Sequence, residues 1–494
     1  MTRPGVLEHT GLQSLRGPLM VLRGVSGVGW DEAALVRLPS GEVRHGLVLE
    51  VDRDLAVVQV LEGTDDMERG GVRVTFEGAP VRVPVGAGWL GRVCNGRGQP
   101  VDGGPPVLGA LRVPVAGRPP NPTPRDPRDE PVLTGVSVID GFFTLVRGQK
   151  LPLFSVAGLP HLELATQIAA QASVQGAPFC VVFAGLGLTR ADAAMVRSAL
   201  EERAASGELA LLLNTADDPV IERILTPRIA LTVAEHLAFE LGRHVLVVMA
   251  DMTSYCEAVR EVSSARGEVP ARRAYPGYLY SDLASLYERC GRIRGGSGSL
   301  TLVPVLTMPS GDITHPIPDL TGYITEGQIV LSASAMPRGV YPPVDVLSSL
   351  SRLMRRGVGS QRTRADHADV AAQTLSALTH ARQVHDLADL IGEPALSATD
   401  RDYLAFERAF AEHVVDQRYA ETRELEDTLD RAWDALSVLP RAVLASIVVN
   451  AVWKLMDFGA LRRYTRIRRN DIVAAVVAAG GVLAFGPLYG LLVA

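Results

Sequence analysis

The sequence predicts a multidomain chain of α+β and α/β character. It comprises an N-terminal antiparallel β-barrel, a central α/β domain, a C-terminal helical domain and an apolar helical tail. Three observations carry this. Short alternating apolar runs separated by Gly- and Asp-containing turns fill the stretch up to Val85. From Gly135 to about Ser351, apolar strand-like runs alternate with helical stretches, the pattern of a parallel sheet covered on both faces. Beyond Gly359 the apolar residues fall at three- and four-residue spacing.

Taken in order, the runs LMVLRGV, EAALVRL, VRHGLVLEV, LAVVQVLEG, GVRVTFEG and VRVPVG supply the barrel, residues 1–85. Residues 86–134 are rich in turn residues and proline, as in PVAGRPPNPTPRDPRDEP, which suits neither a helix nor a central strand and reads as an extended connection. The α/β domain, residues 135–358, has strands expected at Leu151–Phe154, Phe179–Phe183, Leu209–Leu213, Val245–Met249 and Leu300–Leu306. Its helices are expected at Leu162–Ser173, Ala191–Ala204, Ile229–Leu241 and Ser281–Cys290. Helical spacing in VAAQTLSALTHARQVHDLADLI and DYLAFERAFAEHVV marks residues 359–440.

At 494 residues the chain has ample material for a buried core, and a net charge of −6 is no polyanion-binding balance, so no nucleic-acid partner is expected. The four cysteines are far apart without CxxC spacing and read as reduced thiols. The N-terminus lacks the apolar run of a signal peptide. The tail, residues 441–494, ends in Ile472–Ala494 without a charge, behind the basic RRYTRIRRN. It reads either as a membrane-compatible segment or as a buried helix pair broken by Gly480, Gly481 and Pro487.

Arg147–Ala165, RGQKLPLFSVAGLPHLELA, places a strand, a small-residue turn and an amphipathic helix in succession, the setting of a phosphate-binding loop. Laid on G-x-x-x-x-G-K-[ST], the glycines fall on Ser155 and Pro160, the lysine on His161 and the magnesium-binding hydroxyl on Leu162. Proline offers no N–H, and leucine cannot ligate magnesium. The loop is degenerate.

Several long strings resemble the rotary ATPase subunits, most of all the B (non-catalytic, regulatory) subunit of V-type and A-type ATPases. They are GVSVIDGFFTLVRGQKLPLFS, GLPHLELATQIAAQA, DDPVIERILTPRIALTVAEHLAFE, DMTSYCEAVREVSSARGEVPARRAYPGYLYSDLASLYERCGRI and PSGDITHPIPDLTGYITEGQI. YPPVDVLSSLSRLM adds the signature P-[SAP]-[LIV]-[DNH]-x-x-x-S-x-S at Pro342–Ser351. The resemblance implies a nucleotide-binding-type central domain and a chain that completes the sites of a catalytic A subunit in an alternating hexamer. Central and peripheral stalk subunits and a membrane sector would be further partners, and ATP synthesis or hydrolysis would be coupled to proton or sodium transport on the cytoplasmic face of the membrane. ATP or ADP would lie at subunit interfaces, with Mg²⁺ held by the catalytic partner.

Residue by residue, the resemblance makes Arg352 an arginine finger offered to the neighbour; Arg355 and Arg356 lie close, but only Arg352 matches the motif position. Tyr341, Ser349, Ser351, Gly158 and His161 would contact an interfacial nucleotide. Tyr341 stands where catalytic relatives stack a ring on adenine, against the plainer reading of a tyrosine packed at the YPP turn. Leu188 takes the place of the glutamate that polarises attacking water, so base and loop are both lost. Asp251 stands near the magnesium-positioning carboxylate, although a hydrogen bond to neighbouring loops suits it better. Asp312, His315, Asp319 and Glu326 suggest a metal cluster, but the intervening prolines favour hydrogen bonding at an interface, and no metal is assigned. The tail after Leu439-Pro440-Arg441 resembles instead a fragment of the membrane domain of a sulfate-permease-type transporter, too short to form a transport path by itself. It reads as a fused or mis-assembled reading frame, with a true membrane anchor as the alternative. Alternatives of other classes are an autonomous secretion-type ring ATPase, which needs the missing G-K-[ST], and a protein anchored in a membrane through its tail.

Overall fold

The computed structural model describes residues 8–68, 70–109, 111–117, 119–120, 125–126, 129–332 and 339–439. Seven strands open the chain: β1 (Glu8–His9), β2 (Leu12–Arg16), β3 (Leu19–Arg23), β4 (Glu32–Arg37), β5 (Val43–Asp52), β6 (Leu55–Val60) and β7 (Arg73–Pro80). They form one antiparallel sheet ordered β1-β7-β4-β5-β6-β3-β2. Its two end strands, β1 and β2, are separated in sequence only by Thr10 and Gly11, so the sheet curls until its edges approach: a barrel. Met20, Leu22, Val36, Val48, Val58 and Val74 fill it. On β5 the side chains alternate as the pleat requires, Val48 joining the barrel core while Leu47 and Leu49 join the core of the α/β layer.

The next strands are β8 (Arg82–Val85), β9 (Arg92–Asn95) and β10 (Leu111–Pro114). Two expectations change here. VRVPVG is not a barrel strand: β8 pairs with β10, and Val83 and Val85 pack beside Trp89 in the α/β core. Nor is the segment after Val85 merely a connection, because β9 runs parallel to a strand of the central sheet. Only Val93 and Cys94 of β9 are apolar and buried, too short a run for periodicity to register.

β11 (Pro131–Val132) and β12 (Leu145–Val146) pair antiparallel around α1 (Ser137–Phe142). The central sheet adds β13 (Leu153–Ser155), β14 (Phe179–Leu188), β15 (Leu209–Thr215), β16 (His244–Ala250), β17 (Gly291–Arg292), β18 (Ser299–Thr307), β19 (Gly327–Val330) and β20 (Leu350–Ser351). Its order is β20-β19-β13-β18-β16-β14-β15-β9, with β17 on β18. All pairings are parallel except β17/β18 and β19/β20. α2 (His161–Gln171), α3 (Arg190–Ala199) and α4 (Glu201–Ala205) pack on the sheet as one group, and α5 (Val220–Glu235) and α6 (Met252–Arg266) as another. Covered on both faces, the strands can be continuously apolar, as His244–Ala250 is buried throughout.

Helix starts follow side-chain caps. Thr189 Oγ1 accepts from the Asp192 N–H at 3.1 Å and donates to its carboxylate at 2.7 Å, opening α3. Asp251 opens α6 through the Thr253 N–H at 2.7 Å. α5 departs from expectation: it begins at Val220, not Ile229, and runs through Pro227. Most of its residues are buried against the sheet, and the Thr226 hydroxyl donates to the Glu222 carbonyl at 2.7 Å one turn back, beside the bond that proline cannot make.

After α7 (Leu279–Tyr287), α8 (Pro316–Ile324) and α9 (Met354–Gly357) come α10 (His367–Ile391), α11 (Ala398–Phe410) and α12 (Leu425–Leu436), the helical domain. Contacts divide the chain into two compact units, the smaller holding His380–Phe406 and the described residues from Leu436 onward. Within the larger unit, Thr428 Oγ1 lies 3.1 Å from the Ser137 hydroxyl, and His367 Nε2 lies 2.9 Å from the Gly141 carbonyl. Within the smaller, Val384, Leu396 and Leu404 form a core beside the His380–Tyr403 ring pair. Among the described residues no helix is long and apolar enough to cross a membrane. The tail, 441–494, lies outside them.

Candidate functional site

Parallel sheets bind ligands at the carboxyl ends of their strands. Four neighbouring strands, β13, β18, β16 and β14, end here at Ser155, Thr307, Ala250 and Leu188. Val156–Pro160 crosses from β13 to α2. Gly158 sits in the turn at φ 88°, a left-handed conformation that leaves open space where a side chain would be.

The loop is folded onto itself. The Leu159 N–H donates to the Val156 carbonyl at 3.2 Å, and the His161 N–H to the Leu159 carbonyl at 2.8 Å. His161 Nδ1 lies 2.9 Å from that same carbonyl, so the ring carries its proton there and turns toward its own backbone. Glu163 places a carboxylate in the first turn of α2, where a phosphate would need positive potential. Leu162 is buried.

Leu188 is also buried, its side chain folded back over Gly185. Asp251 has both oxygens engaged: Oδ1 accepts from the Thr253 N–H at 2.7 Å and the Thr307 N–H at 3.2 Å, and Oδ2 from the Thr307 hydroxyl at 2.6 Å. These residues do not fit a magnesium–phosphate group. Asp312, His315, Asp319 and Glu326 are likewise spent within the chain. Asp312 pairs with Arg273 at 2.8 Å, Asp319 with Arg272 at 3.5 Å and Glu326 with Lys150 at 3.3 Å, while His315 Nδ1 caps α8. No group of three or more His, Cys, Asp or Glu side chains among the described residues is arranged to hold a metal ion.

Tyr341 stands beside α2. Its hydroxyl donates to Gln167 Oε1 at 2.8 Å, and its ring meets Tyr419 edge-on, centroids 6.2 Å apart. Burial, with Tyr419 and Glu163 nearby, pushes the hydroxyl pKa up. Gln417 ties this turn down, its N–H donating to the Tyr341 carbonyl at 2.6 Å and its side-chain amide to the Gly135 carbonyl at 2.7 Å. The structure thus sets Tyr341 against α2, the helix that His161 opens and the Gly158 turn precedes.

Ser349, Ser351 and Arg352 belong to the sheet's β19/β20 edge. The Ser349 hydroxyl donates to the Asp345 carbonyl at 2.7 Å and accepts from the Val330 N–H at 2.9 Å. The Ser351 hydroxyl accepts from Gln149 Nε2 at 3.0 Å and donates to the Thr144 carbonyl at 3.3 Å. Both hydroxyls are committed to holding the chain's own backbone. Arg352 is exposed; its N–H donates to the Glu326 carbonyl at 3.0 Å and Nη1 to the Thr325 carbonyl at 3.2 Å. A guanidinium has five donors, and this contact uses one of them. Arg355 and Arg356 are exposed on α9.

Sequence reading missed Gln149 and Lys150. Gln149 is fully buried, its amide donating to the Glu326 carbonyl at 3.1 Å as well as to Ser351. The Lys150 ammonium, also buried, lies 2.5 Å from Glu288 and 3.3 Å from Glu326. Two polar residues directly before an apolar core strand were the available signal.

A barrel, a parallel α/β sheet with a strand–turn–helix at its carboxyl edge and a helical C-terminal domain define a three-part chain of nucleotide-binding build. Family models agree in the same order. The beta-barrel domain of the ATP synthase alpha/beta family matches residues 13–78 and its nucleotide-binding domain residues 135–351; the C-terminal domain of V and A type ATP synthase matches residues 356–456. The last match runs past Pro440, into the stretch whose sequence resembled a transporter fragment. Among solved structures, the ATP synthase subunit NeqB from Nanoarcheaum equitans is 34% identical with a TM-score of 0.67, over 85% of this chain and 98% of that one. The chain belongs to the ATP synthase alpha/beta family, with the C-terminal domain of the V and A types.

Proposed function

We propose that this chain is the non-catalytic, B-type regulatory subunit of a V/A-type rotary ATPase or ATP synthase. It alternates with a catalytic A-type partner in a hexamer on the cytoplasmic face of a membrane, beside stalk subunits and an ion-translocating membrane sector. The partner holds ATP or ADP with Mg²⁺, and this chain supplies Arg352 to the phosphoryl group across the interface. A planar, permanently charged guanidinium stabilises charge that grows on transferring phosphoryl oxygens.

The observation that carries the reading is a contrast within one sheet. At β13 and β14 the groups needed for hydrolysis are replaced and closed off: Pro160 lacks an N–H, His161 is turned onto Leu159, and Leu188 is buried. At β20, Arg352 is exposed and fixed at its base. Nothing in the loop favours an autonomous ring ATPase.

The test is reconstitution with a catalytic partner. The purified chain alone gives no ATP hydrolysis above background, the mixed ring turns over, and Arg352→Ala lowers kcat by about three orders of magnitude with the ring still assembled. Robust turnover by the chain alone refutes the non-catalytic assignment, and near-normal turnover by the Arg352→Ala ring refutes the finger.

A further inference from the structure

Arg352 follows a strand of only two residues, Leu350–Ser351, at the edge of the sheet. Its ladder to β19 pairs Gly327 with Ser351 and Gln328 with Leu350, too little by itself to fix the residue that comes next. What holds it lies underneath. The Gln149 side chain, completely buried, gives one N–H to the Ser351 hydroxyl at 3.0 Å and the other to the Glu326 carbonyl at 3.1 Å. That same carbonyl takes the Arg352 N–H at 3.0 Å, so both its lone pairs are in use. Gln149 Oε1 accepts from the Val146 N–H at 2.9 Å, which fixes the orientation of the amide. A single amide therefore grips the residue before Arg352 and the carbonyl that receives Arg352.

We propose that Gln149 is a positioning residue for Arg352, setting the place from which the guanidinium reaches the neighbouring subunit's phosphoryl group. The proposal rests on the reading of Arg352 as a finger. Its logic is geometric. Interactions made only in the transition state lose their value when the donor moves by about 1 Å, a displacement that can cost up to ~100-fold in rate. Without the amide, Ser351 and the Glu326 carbonyl each lose a buried donor, and the short strand, left with its two ladder pairs and the Ser349 and Thr144 bonds, is held less firmly against β19. A finger shifted in this way changes kcat while leaving substrate affinity in the partner's site alone.

The experiment is a double-mutant cycle in rings rebuilt with the catalytic partner. Gln149→Met keeps the side chain's length and removes its hydrogen bonds. It is expected to lower kcat about tenfold with KM for ATP within about twofold. In a ring already carrying Arg352→Ala, the same change is expected to lower kcat by no more than about twofold, because the residue it positions is gone. An equal loss in both backgrounds, or no loss in the first, overturns the proposal while leaving the finger standing. If Arg352→Ala itself leaves kcat unchanged, the finger reading falls and this proposal with it. Should Gln149→Met fail to assemble, Ser351→Ala removes one of the amide's two acceptors with less disturbance, and its cycle with Arg352→Ala is read the same way.

Discussion

The Tyr341 hydroxyl donates to Gln167 Oε1 at 2.8 Å, joining the turn that opens the Pro342–Ser351 signature to the helix that follows the degenerate loop. Tyr341→Phe removes this one bond and leaves the ring against Tyr419. The expected loss is about 1 kcal/mol of stability, the ordinary net value of a part-buried hydrogen bond. Urea denaturation of the two proteins checks it; an unchanged midpoint would mean that Gln167 finds an equivalent donor.

Gly327 has φ 142°, and a Cβ there would lie 2.2 Å from the Leu350 carbonyl oxygen. Gly327→Ala therefore forces β20 away from β19. A stability loss of about 1–3 kcal/mol is expected, together with lower turnover of the reconstituted ring, since Arg352 is the next residue after β20. Thermal unfolding and ring turnover are the paired measurements, and a variant that loses neither rules out the close approach.

His244 is buried, with Nε2 3.1 Å from Arg147 Nη1 and Nδ1 2.8 Å from the Ser299 hydroxyl. Because the guanidinium can only donate, the imidazole is neutral, and burial with the Arg147 charge lowers its pKa to about 4. The unfolded chain takes up this proton near pH 6.5, the folded one only near 4. Stability from this group is complete above 6.5 and falls as pH drops through that window, by up to roughly 3 kcal/mol. His244→Gln should flatten the decline. Subtracting the two profiles cancels shared contributions, including that of Glu222, whose carboxyl burial pushes up to about 7 and which acts in the opposite sense. Parallel profiles for the two proteins between about pH 7 and pH 4.5 would exclude His244 as the source.

All four cysteines are buried. Burial pushes Cys94 and Cys290 up to about 12 and Cys180 up to about 11, and Cys256 shifts the same way. The thiolate is the reactive form, so a thiol reagent should label none of them quickly in the native protein and all four after denaturation. Rapid native labelling at any one would mark local opening of its layer.

What could be read from the sequence was chemistry that depends on residue type at a known spacing. Pro160, His161 and Leu162 depart from the loop pattern, and Leu188 from a water-polarising carboxylate, by residue type alone, before any coordinate is known. The barrel and the α/β layer were legible because periods of two and of three to four residues persist over many residues. What escaped depends on partners distant along the chain. Gln149 and Ser351 are 202 positions apart, and nothing in RGQK announces that its amide points at the signature. The serines of that signature were expected to face a nucleotide, yet their hydroxyls hold backbone groups of Asp345, Val330 and Thr144. Helix was expected only from Ile229, yet α5 begins at Val220 and runs through Pro227, since its burial outweighs the bond that a proline withholds.

The pairing of β9 with β15 has a practical consequence for anyone dissecting the chain. Arg92–Asn95 lies beyond the barrel in sequence but is stitched, strand to strand, onto the outermost strand of the nucleotide-binding layer. A fragment beginning at Gly135, where the family match for that layer begins, would leave Leu209–Thr215 with a naked row of backbone donors and acceptors, an invitation to sticky self-association. The smallest soluble piece of this layer must carry Arg92–Asn95 with it.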